Sequence, residues 1–186
     1  MDYGNPDVET LRDAASVLRA GGLVAFPTET FYGLGAAGLS ADAVRRVFEV
    51  KGRPESKPLL LLVDSVAMLD RVASRIPPAA RVLMARHWPG PLTLVVPARD
   101  AVPAAVTAGT GTVGVRLPAH PVARGLVTAL GEPVTAPLIG VSSGVVTASP
   151  DPVGGSLSGV TVMLTVATAE STVPSFTRKV KLSDPL

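Results

Sequence analysis

Three cationic side chains that follow a predicted helix have the residue types and spacing that suit polyphosphate binding. Lys51, Arg53 and Lys57 fall within seven residues, in a segment that also contains Pro54 and Pro58. Because proline does not continue a helix, we expect these cations on a stiff turn rather than on a helix face. There Arg53 offers a planar fork, and each lysine offers a point charge, to phosphate oxygens. The alternative is a solvated cationic loop, or cations that complement the carboxyl end of the helix.

A second polar segment directly follows a short apolar strand. Thr28, Thr30 and Tyr32 alternate along the chain, and alternate side chains of an extended backbone point to one side. The three hydroxyls would then form a hydrogen-bonding wall for a small polar ligand at a strand end, where helix-covered sheets bind ligands. The alternative is an ordinary strand-to-turn junction with solvated hydroxyls.

Arg116 is a charged residue inside a strongly apolar predicted strand over 112–117. A buried guanidinium needs a partner, either a carboxylate of the protein or an anionic ligand. Glu29 and Glu132 are candidate structural partners, and structural pairing is the commoner outcome. Arg116 is therefore a candidate for both roles.

Two turns carry weaker signals. His87 and Trp88 precede a Pro-Gly-Pro run, and we expect His87 to cap a helix end and Trp88 to anchor the turn to the core. Short glycine-rich pieces at 109–111 and 142–144 resemble phosphate-wrapping turns in composition, although such pieces are common in turns of every kind. The sequence contains no Walker loop, no GxGxxG and no GxSxG.

Composition limits the classes of function. The chain has 186 residues and a mass of 19.0 kDa, which indicates one domain. It has no cysteine and two histidines, which excludes thiolate chemistry and disfavours a histidine metal cage. The net charge of +2 and the pI of about 9.3 permit a nucleic-acid partner without arguing for one. The N-terminus lacks a secretory apolar core and no apolar run is long enough to span a bilayer, so we expect a cytoplasmic protein without membrane association.

Short apolar strands alternate with helical patterns over the first 137 residues. We expect Thr10 as the first N-cap with Asp13 in the capping-box position, and an inward face with Val82 and Leu83 on the helix that Pro78 begins. Further helices are predicted after Ser40, after Ser65 and from Pro121, and strands over 23–26, 59–63, 92–96, 112–117 and 133–137. Continuous apolar strands between helices indicate a covered sheet, and some connections are too short for a helical crossover, so the sheet should be mixed. Residues 138–186 carry few charges and show no helical period, with strands predicted over 161–166 and 176–182.

Four of these segments together resemble the motifs of the YrdC-like family, the threonylcarbamoyl-AMP synthases. In chain order they read PTETFYGLG at 27–35, KGRPESKPL at 51–59, WPGPLT at 88–93 and VRLPAHP at 115–121. Four motifs with the right order and spacing are far more specific than any one of them. The resemblance implies an α/β fold in which a twisted mixed β-sheet is flanked by helices and forms a basic concave cleft, within a single domain over residues 1–186.

The resemblance also implies an activity and its partners. The chain would act as a nucleotidyltransferase that makes L-threonylcarbamoyladenylate and pyrophosphate from L-threonine, bicarbonate and ATP, for threonylcarbamoyladenosine modification of tRNA. Mg²⁺ would be held mainly by ATP oxygens and water, so no protein metal site is implied. Downstream, tRNA or a tRNA-modifying threonylcarbamoyl transferase would be the partner, and the chain is expected to be a monomer.

Site residues follow from motif position in the same resemblance. The residues implied in catalysis are Lys51 and Arg53. Those implied at ATP are Arg53, Lys57, Thr112 and Ser142. Those implied at threonine are Thr28, Thr30, Tyr32, Arg116 and Ala136, with Arg116 on the carboxylate.

The C-terminal third departs from the family pattern. The family usually continues Ala-Pro-Ser-Ala-Asn where this chain reads Ala-Pro-Leu-Ile-Gly over 136–140. Leu138 and Ile139 therefore stand where the family has the serine and its neighbour, and the asparagine has no equivalent, so two polar groups expected at the nucleotide are missing. The first interpretation is a synthase impaired by this segment. The second is a non-catalytic nucleotide- or RNA-binding member of the fold, and a third is carbamoyl transfer like that of YrdC-like domains in larger enzymes.

Overall fold

The computed structural model describes residues 7–30, 32–137, 161–166 and 178–182, the last two ranges as strand backbone. The elements in chain order are α1 (Val8–Arg19), β1 (Val24–Pro27), β2 (Tyr32–Gly35), α2 (Ala41–Lys51), β3 (Leu60–Leu62), α3 (Val66–Leu69), α4 (Pro78–His87), β4 (Leu92–Pro97), α5 (Ala104–Thr107), β5 (Thr112–Arg116), α6 (Pro121–Leu130), β6 (Val134–Thr135), β7 (Thr161–Val166) and β8 (Arg178–Leu182).

Six strands form one mixed sheet in the order β6-β3-β5-β4-β7-β8. Strands β3 and β5 run parallel, and the other neighbours in this sheet run antiparallel. Strands β1 and β2 form a separate antiparallel hairpin. The predicted α/β fold with a mixed sheet flanked by helices is confirmed.

Helices α2 and α6 begin and end where local signals place them. The Ser40 hydroxyl accepts the backbone N–H of Ala43 at the start of α2, and Gly52 ends that helix in the left-handed conformation (φ 55°). Helix α6 begins at Pro121 and ends at Gly131, which is also left-handed (φ 79°). Both helices turn an apolar stripe to the core, which continues through the buried strands β3, β4 and β5.

Hydrogen bonds join the β1–β2 hairpin to the β6 edge of the sheet. The backbone N–H of Leu34 donates to the Pro137 carbonyl over 3.1 Å. The buried Thr135 hydroxyl accepts the N–H of Ala36 over 2.9 Å, and the Thr135 N–H donates to the Ala36 carbonyl. The turn between β1 and β2 is therefore anchored beside the chain that leaves β6.

Two details of the predicted helices were wrong. Asp7, not Thr10, is the N-cap of α1: its carboxylate accepts the N–H groups of Glu9 and Thr10, so Thr10 lies inside the helix. On α4, Val82 is 53% exposed. Ala80 and Met84, which lie four residues apart on one face, are the buried positions of that helix. Leu83, the other residue predicted to face inward, is partly buried and packs against the core.

Two short elements were not predicted. Strand β2 contains two glycines and reads as a turn in the sequence, and the four residues of α5 are too few to show a helical period. The prediction for Trp88 is confirmed, since the indole packs against the core and its Nε1–H donates to the Leu92 carbonyl over 2.8 Å. His87 lies exposed at the last position of α4.

Candidate functional site

The turn after β1 brings two threonine hydroxyls together. Thr28 Oγ1 lies 3.2 Å from Thr30 Oγ1, and the Thr30 backbone N–H donates to Thr28 Oγ1 over 3.3 Å. This local hydrogen bond bends the chain, so the turn is not the extended backbone that we predicted. Tyr32 begins β2 and is 54% exposed. The structure thus pairs the two threonines, and no described hydrogen bond links the Tyr32 hydroxyl to them.

Arg116 lies almost fully buried at the end of β5, between two polar partners. Its Nε–H donates to Thr93 Oγ1 over 3.1 Å. One terminal nitrogen lies 3.6 Å from Glu29 Oε1, and the two side chains are 8% and 18% exposed. Burial lowers the pKa of Arg116, and the charge of Glu29 opposes that shift. Of the two candidate carboxylates, Glu29 is therefore the partner of Arg116.

One face of β5 connects Arg116 to Thr112. Residues 112, 114 and 116 share this face because side chains alternate along a strand, while Val113 and Val115 point into the core. Thr112 and Arg116 are four steps apart along the strand, and at about 3.3 Å a step the distance between them is about 13 Å. Gly114 stands between them without a side chain. A Cβ added there would meet Thr93 at 3.6 Å and Leu60 at 3.8 Å.

The cationic segment after α2 is a folded loop, as its prolines predicted. The guanidinium of Arg53 donates to the Pro58 carbonyl over 3.0 Å and to the Lys57 carbonyl over 3.4 Å. Lys57 is exposed, whereas Lys51 and Arg53 are half-buried. Burial lowers the pKa of both Lys51 and Arg53, and the charge of Arg53 further lowers the pKa of Lys51. This arrangement concentrates positive charge and favours an anionic ligand.

The remaining predicted site residues lie at two places. Thr112 Oγ1 lies 2.9 Å from Thr110 Oγ1, just after the left-handed Gly111. Ala136 is buried, and its N–H donates to the Leu60 carbonyl over 3.0 Å. A Cβ added at Gly33 would lie 3.5 Å from the Ala136 Cβ, so Ala136 adjoins strand β2. Ser142 lies outside the described residues, and its place at the nucleotide stays a prediction.

Thr93, which accepts a hydrogen bond from Arg116, was not predicted as a site residue. It lies on β4, whose antiparallel pairing with β5 places Leu94 opposite Val115. Thr93 therefore falls beside Arg116. The register between the two strands decides this contact, and no signal local to Thr93 reveals it.

A separate groove lies away from these residues. It measures about 890 Å³ between α1 and α6, and Arg12, Arg19 and Arg124 are among its lining residues. None of the predicted site residues lines it. The basic concave cleft around the predicted site thus stays a prediction.

Within the described residues, no three His, Cys, Asp or Glu side chains stand close enough together to share a metal ion. No described helix combines the length and apolar character that a bilayer crossing requires.

Comparison with known proteins gives a consistent set of relatives. Residues 16–182 match the Sua5/YciO/YrdC family model, which is described as telomere recombination. The threonylcarbamoyl-AMP synthase of Pyrococcus abyssi is 50% identical over 127 residues, which are 68% of this chain and 37% of that protein. The present chain therefore spans little more than a third of that relative.

Solved structures agree with this relationship. The crystal structure of P. abyssi Sua5 complexed with L-threonine superimposes with a TM-score of 0.69 at 48% identity, over 70% of this chain and 38% of that one. E. coli YciO superimposes with a TM-score of 0.67 over 97% of this chain and 93% of its own, at 24% identity. The likeness to YciO shows the fold alone.

Proposed function

Since the chain belongs to the Sua5/YciO/YrdC family, we propose that it is an L-threonylcarbamoyladenylate synthase. In this reaction the amino nitrogen of L-threonine forms a bond to the carbon of bicarbonate, one carbon–oxygen bond breaks, and water leaves, which gives a carbamate. A carbamate oxygen then attacks the α-phosphorus of ATP, and pyrophosphate leaves. The relative of P. abyssi carries this activity in its name, and the Sua5 structure contains L-threonine, which supports the proposal.

The shared face of β5 is the observation that carries this proposal. Arg116 at one end is a cation for the threonine carboxylate, and Thr112 at the other end is a hydroxyl for the nucleotide. Gly114 between them has no side chain, and an added Cβ would meet Thr93 and Leu60 at ordinary contact distances. The two substrates would lie end to end along this face, which brings the carbamate and the α-phosphate together.

Threonine is assigned to the Arg116 end of the site. A guanidinium recognises a carboxylate through two parallel hydrogen bonds. The adjacent hydroxyls of Thr28 and Thr30 offer partners for the amino acid hydroxyl. Ala136 closes the site near β2, and Tyr32 is assigned to the rim, where it is exposed.

ATP phosphates are assigned to the loop over 51–58. Lys51 and Arg53 would stabilise the charge that develops at the α-phosphorus, and Lys57 would hold the outer phosphates. The carbamate itself supplies the nucleophile, so the chemistry needs alignment and charge stabilisation rather than a nucleophilic side chain. Thr112 and Ser142 would contact the nucleotide.

Mg²⁺ is placed on ATP in this proposal. The described residues group no three metal-binding side chains, and Mg²⁺ commonly keeps waters and binds through substrate phosphates. Bound there, it would neutralise phosphate charge.

The biological setting is also part of the proposal. Threonylcarbamoyladenylate would serve threonylcarbamoyladenosine modification of tRNA, through a downstream threonylcarbamoyl transferase or tRNA itself. We place the chain in the cytoplasm as a monomer, with residues 1–186 in one domain.

Pyrophosphate release tests this function directly. Protein is mixed with ATP, Mg²⁺, bicarbonate and L-threonine, and each substrate is omitted in turn. Release that requires both threonine and bicarbonate supports the synthase. Binding of nucleotide or RNA without release selects the non-catalytic member of the fold instead.

A variant at Gly114 tests the shared face of β5. An added Cβ meets its neighbours at ordinary contact distances, so Gly114→Val should fold while its side chain covers the surface between the two ends. Pyrophosphate release should fall at least about tenfold, which is about 1.4 kcal/mol, with an unchanged melting temperature. Full activity in a folded Gly114→Val would place the substrates elsewhere.

A further inference from the structure

Glu29 has hydrogen-bonding capacity that its pairing with Arg116 does not use. Both carboxylate oxygens are buried; Oε1 faces Arg116 without a short hydrogen bond, and Oε2 has no hydrogen-bond donor within the described chain. The distance of 3.6 Å to the Arg116 nitrogen is longer than the 2.7–2.9 Å of a charge-assisted hydrogen bond. Buried acceptors without donors are rare and costly in proteins, so this carboxylate calls for a functional explanation.

Arg116 has unused capacity too. A guanidinium carries five N–H donors, and the described hydrogen bond to Thr93 engages the one on Nε. The site therefore presents a cation and an anion side by side, each able to form further hydrogen bonds. An α-amino acid carries the complementary pair, because its carboxylate and its ammonium group are bonded to the same carbon.

We propose that Glu29 recognises the α-ammonium group of the amino acid while Arg116 binds its carboxylate. Together the two side chains would select the zwitterion. This inference rests on the proposed function, since it takes threonine as the ligand of Arg116. It adds a specificity residue on the turn between β1 and β2.

The charge of Glu29 favours ligands with an ammonium group and disfavours ligands that carry only a carboxylate. A ligand that has a carboxylate but no amino group would place its charge beside Glu29 and be repelled. A zwitterion exchanges that repulsion for a charge-assisted hydrogen bond. Because both oxygens are buried, the Glu29 side chain must rotate to make this contact, and it exchanges a 3.6 Å ion pair for a shorter bond.

The experiment compares two ligands that differ by the amino group. Binding of L-threonine and of (R)-3-hydroxybutyrate is measured by calorimetry on wild type, Glu29→Gln and Glu29→Asp. Glu29→Gln keeps the side-chain size and removes the charge, so threonine should bind about 10- to 150-fold more weakly, while 3-hydroxybutyrate binds as well as before or better. Glu29→Asp keeps the charge and should restore part of the preference for threonine.

Glu132→Gln is the matched control. Glu132 was the other candidate partner of Arg116, and no described cation pairs with it. Its replacement should leave both affinities unchanged. An equal loss of affinity for both ligands in Glu29→Gln would overturn the proposal, because a carboxylate with a purely structural role does not distinguish the two ligands.

If Glu29→Gln does not fold, the binding of the two ligands to the wild-type protein still tests the proposal. If Glu29 and Arg116 recognise the zwitterion together, wild type should bind threonine at least about tenfold more tightly than 3-hydroxybutyrate. Equal affinities would refute the proposal. Failure of the proposed function gives a different pattern, in which wild type does not bind threonine at all.

Discussion

Replacing Arg116 by leucine removes one member of a buried ion pair and leaves the other behind. Glu29 would then be a carboxylate without its cation, and its side chain is 18% exposed. We expect a large loss of stability from this single change, in addition to the loss of threonine binding. The reason is that the carboxylate of Glu29 stays buried, where water screens it poorly, and has lost the cation that compensated its charge.

The distance sets the size of the effect. Two unit charges 3.6 Å apart attract by about 4.6 kcal/mol at an effective dielectric constant of about 20. Breaking one side of a buried pair commonly costs about 3–5 kcal/mol, which agrees. Since the stability of a domain is about 5–15 kcal/mol, Arg116→Leu should fall near the limit of folding.

A double-mutant cycle separates the pair from its surroundings. Urea unfolding is measured for Arg116→Leu, Glu29→Leu and the double variant, with equal m-values as the condition for comparison. The double variant has no uncompensated charge and should be more stable than Arg116→Leu by about 2–4 kcal/mol. Arg124→Leu, an exposed arginine of α6, is the control and should change stability by less than about 0.5 kcal/mol.

Additivity would refute the reasoning. If the losses in the two single variants sum to the loss in the double variant, Arg116 and Glu29 do not interact energetically. The 3.6 Å approach would then be incidental, and Arg116 would owe its position to Thr93 and to the strand alone.

Four further changes test the loop over 51–58, the Trp88 turn and residues 138–140. Arg53→Ala and Lys57→Ala should each weaken ATP binding by about 1.5–3 kcal/mol in calorimetry, and Arg53→Ala more so because its carbonyl contacts also brace the loop; unchanged affinity in both would remove this loop from the site. Trp88→Phe should lower the unfolding free energy by about 1–3 kcal/mol, since the buried Leu92 carbonyl loses its indole donor, and wild-type stability would contradict this. Replacing residues 138–140 by Ser-Ala-Asn should raise pyrophosphate release, and a parent chain equally fast would show that this segment does not impair the site.

Local sequence signals were enough for most of the elements. The start of α2 after Ser40 and the anchor at Trp88 were predicted and are confirmed, and α2 and α6 end at Gly52 and Gly131, a residue type that commonly ends helices. Each depends on contacts within a few residues along the chain, which a sequence displays directly. The same holds for the mixed character of the sheet, which follows from apolar strands and short connections.

The tertiary structure decided which residues meet across the fold. The sequence showed that Arg116 needs a partner, but two glutamates were candidates, and the packing of the β1–β2 turn selected Glu29. Strand register placed Thr93 beside the same guanidinium. These contacts join residues far apart in the chain, and register and packing, rather than residue type, determine them.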